Sequence, residues 1–264
     1  MNQSIGIFDS GLGGLTVLKV LAEKFPSESF TYLGDIARLP YGNKSPETIK
    51  RYGLQTLEYL KNQNVKALII ACNSASTVFL GENEFEGIPL LNVIEPGSAA
   101  ALKVATDNRI AVLGTSATIR SGAYTKTLRG LSPEVKVTEQ ACPLFVPLVE
   151  EGFVNDPITE LVIKKYLKDI QKEKIKTLIL GCTHYPVLKA DLRKVLGDEV
   201  NLVESGEVLA EQLSYLFQLG KIPKSVAPLR EIRVCITDLT DHFERLASQL
   251  MYPETISNFE RVVL

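Results

Sequence analysis

The chain has 264 residues, 45% of them hydrophobic, with a mean hydropathy of +0.08 and a formal charge of −2. That is enough apolar material for one large or two medium α/β domains. The near-neutral charge argues against a dedicated nucleic-acid binder, which is usually basic. No stretch approaches about 18 uninterrupted apolar residues, so no membrane span is expected. The start, "MNQSIGIFDS", has no basic-then-apolar leader, and cytoplasmic residence is the expectation. Four cysteines, Cys72, Cys142, Cys182 and Cys235, form no CxxC pair, and the histidines are His184 and His242 alone. Neither a metal site nor a thioredoxin-type motif is supported, and cytosolic thiols stay reduced.

Short apolar runs alternate with longer mixed-polarity stretches, the pattern of βα units around a parallel sheet. In chain order, strands are expected over 4–8, 30–34, 65–71 and 89–94, then over 109–114, 134–139, 175–181 and 200–204. Helices are expected over 46–62 and 157–172, where Pro46 and Pro157 suit a first turn. A last unit adds a helix near 207–219, a strand over 231–237 and a helix near 242–250. The two four-strand series run in step. First strands lie about 105 residues apart and third strands about 110, and the fourth strands end in "VIEPGS" and "LVESGE". A duplicated α/β domain is expected.

Each third strand delivers a cysteine at its carboxyl end: "IACNSAS" carries Cys72 and "LGCTHYP" carries Cys182. Open α/β sheets bind ligands at that end. Two halves folded face to face would set the thiols on opposite walls of one cleft. Opposed thiols suit inversion of a carbon bearing an acidic hydrogen, because one removes a proton while the other delivers one, and they swap roles in reverse. Each motif is expected to open a helix, with Pro186 just inside the second. A helix N-terminus lowers a thiol from its free value of about 8.5. The plain alternative is a small buried hydrophobe. That is the reading for Cys142, in "QACPLF", and for Cys235, in mid-strand.

Other strand ends carry polar groups. "IFDSGLGGLTVL" places Asp9 and Ser10 before glycines that let a backbone approach a ligand. It is neither a P-loop nor a dinucleotide fingerprint, since Thr16 stands where a third glycine belongs. Helix capping by Asp9 or Ser10 is the alternative. "GDIARLPYGNKS" offers a turn at Pro40–Asn43, and "LGTSATIRSGAY" offers the hydroxyls of Thr115, Ser116 and Thr118, or their use as caps. "PLFVPLVEEGF" offers Glu150 and Glu151, or simply a solvated acidic face.

In this order and spacing, "GIFDSGLGGLTVL", "YLGDIARLPYG", "IACNSAS" and "LILGCTHYP" resemble the bacterial glutamate racemases over nearly the whole chain. These are cofactor-independent isomerases that make D-glutamate for peptidoglycan. The resemblance implies an α/β fold of two pseudo-symmetric domains, each a mostly parallel sheet flanked by helices, with the active site between them. Residues 1–97 plus 207–264 are assigned to the first, with Asp9 and Cys72; residues 98–206 form the second, with Glu150, Cys182 and His184. It implies acid/base catalysis by Cys72 and Cys182, assisted by Asp9 and His184 respectively, with Glu150, or its neighbour Glu151, as a further assisting carboxylate. Substrate contacts are implied for Asp9, Ser10, Tyr41, Gly42, Asn73, Ser74, Thr118, Thr183 and His184; Ser74 replaces the family's usual threonine but keeps the hydroxyl.

Glutamate as substrate, a homodimer and the absence of cofactor, metal, nucleic acid and membrane partners are implied too. No lysine lies in a recognisable pyridoxal motif. Members activated by a peptidoglycan precursor carry a longer N-terminal extension than the eight residues before Asp9, so that activation is not implied. An aspartate racemase would use the same chemistry on a side chain one methylene shorter, a discrimination of only about 1–3 kcal/mol. A non-catalytic amino-acid-binding protein would have no need of paired thiols, and a thiol–disulfide protein is argued against by the missing CxxC.

Overall fold

The computed structural model describes residues 3–225 and 230–264. The chain lays down β1 (Ser4–Asp9), β2 (Phe30–Gly34), β3 (Val65–Ile70), β4 (Glu84–Phe85) and β5 (Ile88–Asn92) in one sheet. A second sheet takes β6 (Arg109–Gly114), β7 (Lys136–Ala141), β8 (Thr177–Gly181) and β9 (Asn201–Glu204). The chain then returns to the first sheet with β10 (Ile232–Ile236) and β11 (Asn258–Arg261). Strand orders are β11-β10-β2-β1-β3-β5-β4 and β7-β6-β8-β9. Every pair is parallel except β4 with β5. The run β2-β1-β3-β5 has the same second-first-third-fourth order as β7-β6-β8-β9, so the repeat read from the sequence is also a repeat of topology.

In each sheet the chain steps to one side of its first strand and then to the other. The carboxyl ends of the first and third strands therefore form a topological switch point, the place where open sheets bind ligands. Asp9 ends β1, Cys72 follows β3 by two residues, Thr115 follows β6 and Cys182 follows β8. Pairing of Phe8 with Ile70, and of Gly114 with Gly181, brings each of these pairs of ends level.

Alternation sorts the strand side chains between layers. Ile5, Ile7 and Ile69 of the first sheet share a central cluster with Ile110, Val112 and Ile179 of the second. Phe8, Leu68 and Ile70 face a second cluster, and Leu113, Leu178 and Leu180 a third. Burial on both faces is why these strands read as continuous apolar runs. The central cluster also takes the helices Leu15–Lys24, Ile94–Val104, Ala123–Leu131, Ser205–Gln218 and Asp241–Met251. It joins the two sheets, at about 1.5–3 kcal/mol for each fully buried large aliphatic side chain.

Helix starts follow their sequence signals. Ser45 accepts from Thr48 N ahead of Pro46–Lys61, and Asp156 from Ile158 N ahead of Pro157–Lys172. β5, expected over 89–94, stops at Asn92 because the Asn92 side chain accepts from Ile94 N at 3.0 Å and a helix opens there. Two strands, β4 and β11, were not expected, and β7 runs two residues further along than expected. At the amino end of β3, far from the switch points, Lys66 Nζ meets Glu28 Oε2 at 2.5 Å with both side chains 4% exposed. Among the described residues, no helix is long and apolar enough to cross a membrane.

Candidate active site

A cavity of about 300 Å³ opens where the carboxyl ends of the two sheets meet. Cys72, Ser10, Tyr41, Gly42, Asn73 and Ser74 reach it from the first sheet's side; Cys182, Thr183, His184 and Glu150 reach it from the second's. The two thiols are free and nearly buried, at 5% and 6% exposure. Cys142 and Cys235 are fully buried and outside the cavity, as packing residues should be.

On the Cys72 side, Sγ donates to Ser10 Oγ at 3.4 Å. Asp9, with no exposed surface, accepts from Gly11 N at 2.9 Å and from Thr183 Oγ1 at 3.2 Å, so it ties the first sheet's loop to the second sheet's motif. Burial lifts the Asp9 carboxyl to about 6, against the pull of the Gly11 N–H and the His184 charge. The expected lowering of Cys72 is reversed. Burial first, then the Asp9 charge, push this thiol up to about 12. The helix it caps, Asn73–Ser76, has four residues. So few aligned peptides carry little of a helix dipole, and desolvation wins.

On the Cys182 side no helix starts directly after the thiol. Thr183 and His184 intervene before a 3-10 turn over Tyr185–Leu188, with Pro186 in its first turn. His184 Nδ1 lies 3.9 Å from Cys182 Sγ, and Nε2 lies 3.0 Å from Glu150 Oε1. Burial alone would lower His184. Its bonds to Cys182 and Glu150 outweigh that and raise it to about 10, so it is an imidazolium at neutral pH. Of the two adjacent acids Glu150 is the one at the histidine, while Glu151 is exposed just past the helix Phe145–Glu150.

The glycine loop after β1 serves a close approach. A Cβ on Gly13 would lie 2.3 Å from His184 Nδ1 and 2.5 Å from Thr183 Oγ1, and one on Gly14 2.3 Å from Asp9 Cβ. Thr16 Oγ1, just beyond, donates to Thr183 O at 2.9 Å. What the loop approaches is the opposing cysteine motif.

Two expected substrate contacts stand behind the wall. Asp9 is enclosed, and Thr118, 1% exposed, bonds to Thr115 Oγ1 at 3.0 Å and Ser74 Oγ at 3.4 Å. Thr115 itself lines the cavity, 2.8 Å from Ser74 Oγ, because it leaves β6 one position before the helix Ser116–Ser121 that carries Thr118 inward. An apolar wall of Pro143, Val146 and Pro147 was also missed, although "PLFVPLVE" is its signal: a proline-interrupted apolar run directly before Glu150. Among the described residues no group of three or more His, Cys, Asp or Glu side chains is placed to hold a metal ion.

The Asp/Glu/hydantoin racemase family model matches residues 14–213. The glutamate racemase of Sulfurihydrogenibium sp. (strain YO3AOP1) is 45% identical over 249 residues, which is 94% of this chain and 93% of that one. The crystal structure of glutamate racemase isoform RacE1 from Bacillus anthracis matches with a TM-score of 0.93 at 36% identity, covering 99% of this chain and 98% of that one. The glutamate racemase of Francisella tularensis subsp. tularensis SCHU S4, solved in complex with D-glutamate, gives 0.91 at 38% identity over the same shares. With the family model spanning most of its length and relatives this similar end to end, the chain belongs to the Asp/Glu/hydantoin racemase family and, within it, to the glutamate racemases.

Proposed function

We propose that the enzyme interconverts L- and D-glutamate by a two-cysteine proton exchange at Cα that needs no cofactor. The observation that carries this reading is that two thiols, delivered by equivalent strand ends of two sheets, line one cavity. In one direction the Cys182 thiolate, beside the His184 imidazolium, takes the α-proton; an S–H bond forms and the Cα–H electron pair passes into the carboxylate as an enolate. Cys72 then gives its S–H proton to the opposite face, leaving its own sulfur as thiolate. The reverse direction starts from the exchanged protonation states. Asp9 and Ser10 attend Cys72, and His184 with Glu150 attends Cys182.

Ser10, Asn73, Ser74 and Thr115 offer hydroxyl and amide donors to the two substrate carboxylates, while the Thr183 hydroxyl is held by Asp9. The substrate ammonium supplies the positive charge that the Cys72 side lacks. We place the enzyme in the cytoplasm as a homodimer whose D-glutamate enters peptidoglycan.

The test uses purified protein without added cofactor. L-Glutamate in deuterium oxide should lose its circular dichroism, and the D-product should carry one solvent deuteron at Cα. Full retention of the original hydrogen would refute the mechanism, and faster turnover of L-aspartate would overturn the substrate. Cys72→Ala and Cys182→Ala should abolish racemization, while Cys142→Ala and Cys235→Ala keep it. A folded but dead Cys142→Ala enzyme would overturn the site.

A further inference from the structure

Tyr124, which ends the stretch "LGTSATIRSGAY", is 1% exposed and lies outside the cavity wall. Its ring fits against two glycines. A Cβ on Gly181 would come within 3.2 Å of Tyr124 Cε2, and one on Gly97 within 3.6 Å of Cε1. Its hydroxyl donates to Asn73 Oδ1 at 2.7 Å, and Asn73 Nδ2 donates onward to Ser205 Oγ at 3.2 Å. Gly181 directly precedes Cys182, and Asn73 directly follows Cys72. One rigid side chain therefore rests on the backbone beside one thiol and is bonded to the residue beside the other.

We propose that Tyr124 is a positioning residue that sets the separation and facing of the two thiols, acting through Gly181 and Asn73 without touching substrate or sulfur. This rests on the two-thiol reading above. β3 and β8 lie in different sheets, so no ladder fixes Cys72 relative to Cys182. Their spacing must come from what is packed and bonded between the halves. One side of the Cys182 motif is already tied, through Thr183, to Asp9 and Thr16. Tyr124 holds the other side, at Gly181. An aromatic ring suits the task because it has few torsions to fix, and burial keeps its hydroxyl protonated as a donor. Two-base exchange needs this because both sulfurs must approach Cα from opposite faces in one bound geometry, and about 1 Å of misplacement costs up to roughly 100-fold.

Tyr124→Phe keeps the ring and deletes the bond to Asn73; Ser205→Ala loosens the same carboxamide and leaves the ring untouched. For Tyr124→Phe, kcat should fall at least about 10-fold with KM within about twofold of wild type. The primary α-deuterium isotope effect on kcat/KM should rise as proton transfer becomes more rate-limiting. Ser205→Ala should move the same quantities the same way by less, and it carries the test should Tyr124→Phe fold poorly. A purely structural role would lower Tm and the active fraction with the isotope effect unchanged, and that result overturns the proposal. So does wild-type kcat, or a raised KM with kcat intact, which would make the hydroxyl a substrate-binding support. If Cys72→Ala or Cys182→Ala stays active, the two-thiol reading itself fails; if both are dead while Tyr124→Phe is native, only the positioning role fails.

Discussion

Replacing Gly13 with alanine should disable the enzyme while leaving it folded. The added methyl would sit 2.3 Å from His184 Nδ1 and 2.5 Å from Thr183 Oγ1, where ordinary contact begins at 3.4 Å. The imidazole and the threonine must each retreat by about 1 Å, in a close-packed interior with few voids to receive them. Overpacking of this kind costs about 1–3 kcal/mol of stability. Losing the Thr183–Asp9 bond leaves a buried carboxylate one donor short, about 1–3 kcal/mol more in stability or transition-state binding. The functional damage should be larger, since a shift of about 1 Å in a group 3.9 Å from Cys182 Sγ costs on the order of 100-fold in rate. Loss of circular dichroism from L-glutamate reads kcat, and thermal melts read folding. Gly130→Ala is the control, because a Cβ there meets nothing within 4 Å. A Gly13→Ala enzyme with native kcat would refute the close-approach account of the glycine loop. So would a variant whose loss of activity merely tracks its unfolded fraction.

Two further outcomes follow from other parts of the molecule. His184 is raised from 6.5 to about 10 on folding, so its stabilising contribution is complete below about pH 6.5 and is lost as pH rises through about 10. Urea stability should decline across that window, and Glu150→Gln should flatten the decline; a flat wild-type profile would contradict the ion pair. Lys66→Met should cost about 3–5 kcal/mol by stranding Glu28 in the interior, with kcat per folded molecule unchanged. A loss below about 1 kcal/mol would contradict the buried pairing.

The central strands were legible because burial on both faces leaves only apolar residues to read. The edges were not. β11, "NFER", carries the polar side chains that protect an exposed sheet edge, so periodicity there is weak, and the same polarity in β7, "KVTEQA", blurred its bounds by two residues. β4 is set by a two-residue turn with Glu86 at φ 47° and Gly87 at φ 81°, the paired positive φ of a tight hairpin. Glutamate is an unusual residue there, and the asparagine–glycine signal was missing.

At the site, Cys72, Cys182, Asp9, His184 and Glu150 were named from motifs, and the cavity or its immediate backing contains them all. What sequence could not supply is distance across the two halves. The Asp9–Thr183 bond spans 174 positions, and the need for glycine at 13 comes from residues 170 positions away. Thr118 was preferred over Thr115 for want of the same information. Cys72 was misjudged in direction, since a helix N-terminus favours a lowered thiol and only the fold reveals how short that helix is and how completely the thiol is desolvated.

Duplication alone would make a poor catalyst of the proposed kind. Two thiols in identical surroundings would both be protonated near neutral pH, since a free thiol titrates at about 8.5, and the site would hold two acids and no base. Lowering both equally would give two bases and no acid. The exchange needs one of each at every instant, so the symmetry of the strands has to be broken by their neighbours. Here Cys72 is desolvated beside a carboxylate and held up at about 12, while Cys182 faces an imidazolium backed by Glu150. In the proposed exchange Cys182 is the base for the enantiomer whose α-proton faces it. For the other, the charge that Cys72 lacks arrives with the substrate ammonium. Since the enantiomers are equal in energy, kcat/KM must be the same in both directions. The unequal walls can therefore divide kcat from KM differently for L and D, and can never favour one product at equilibrium.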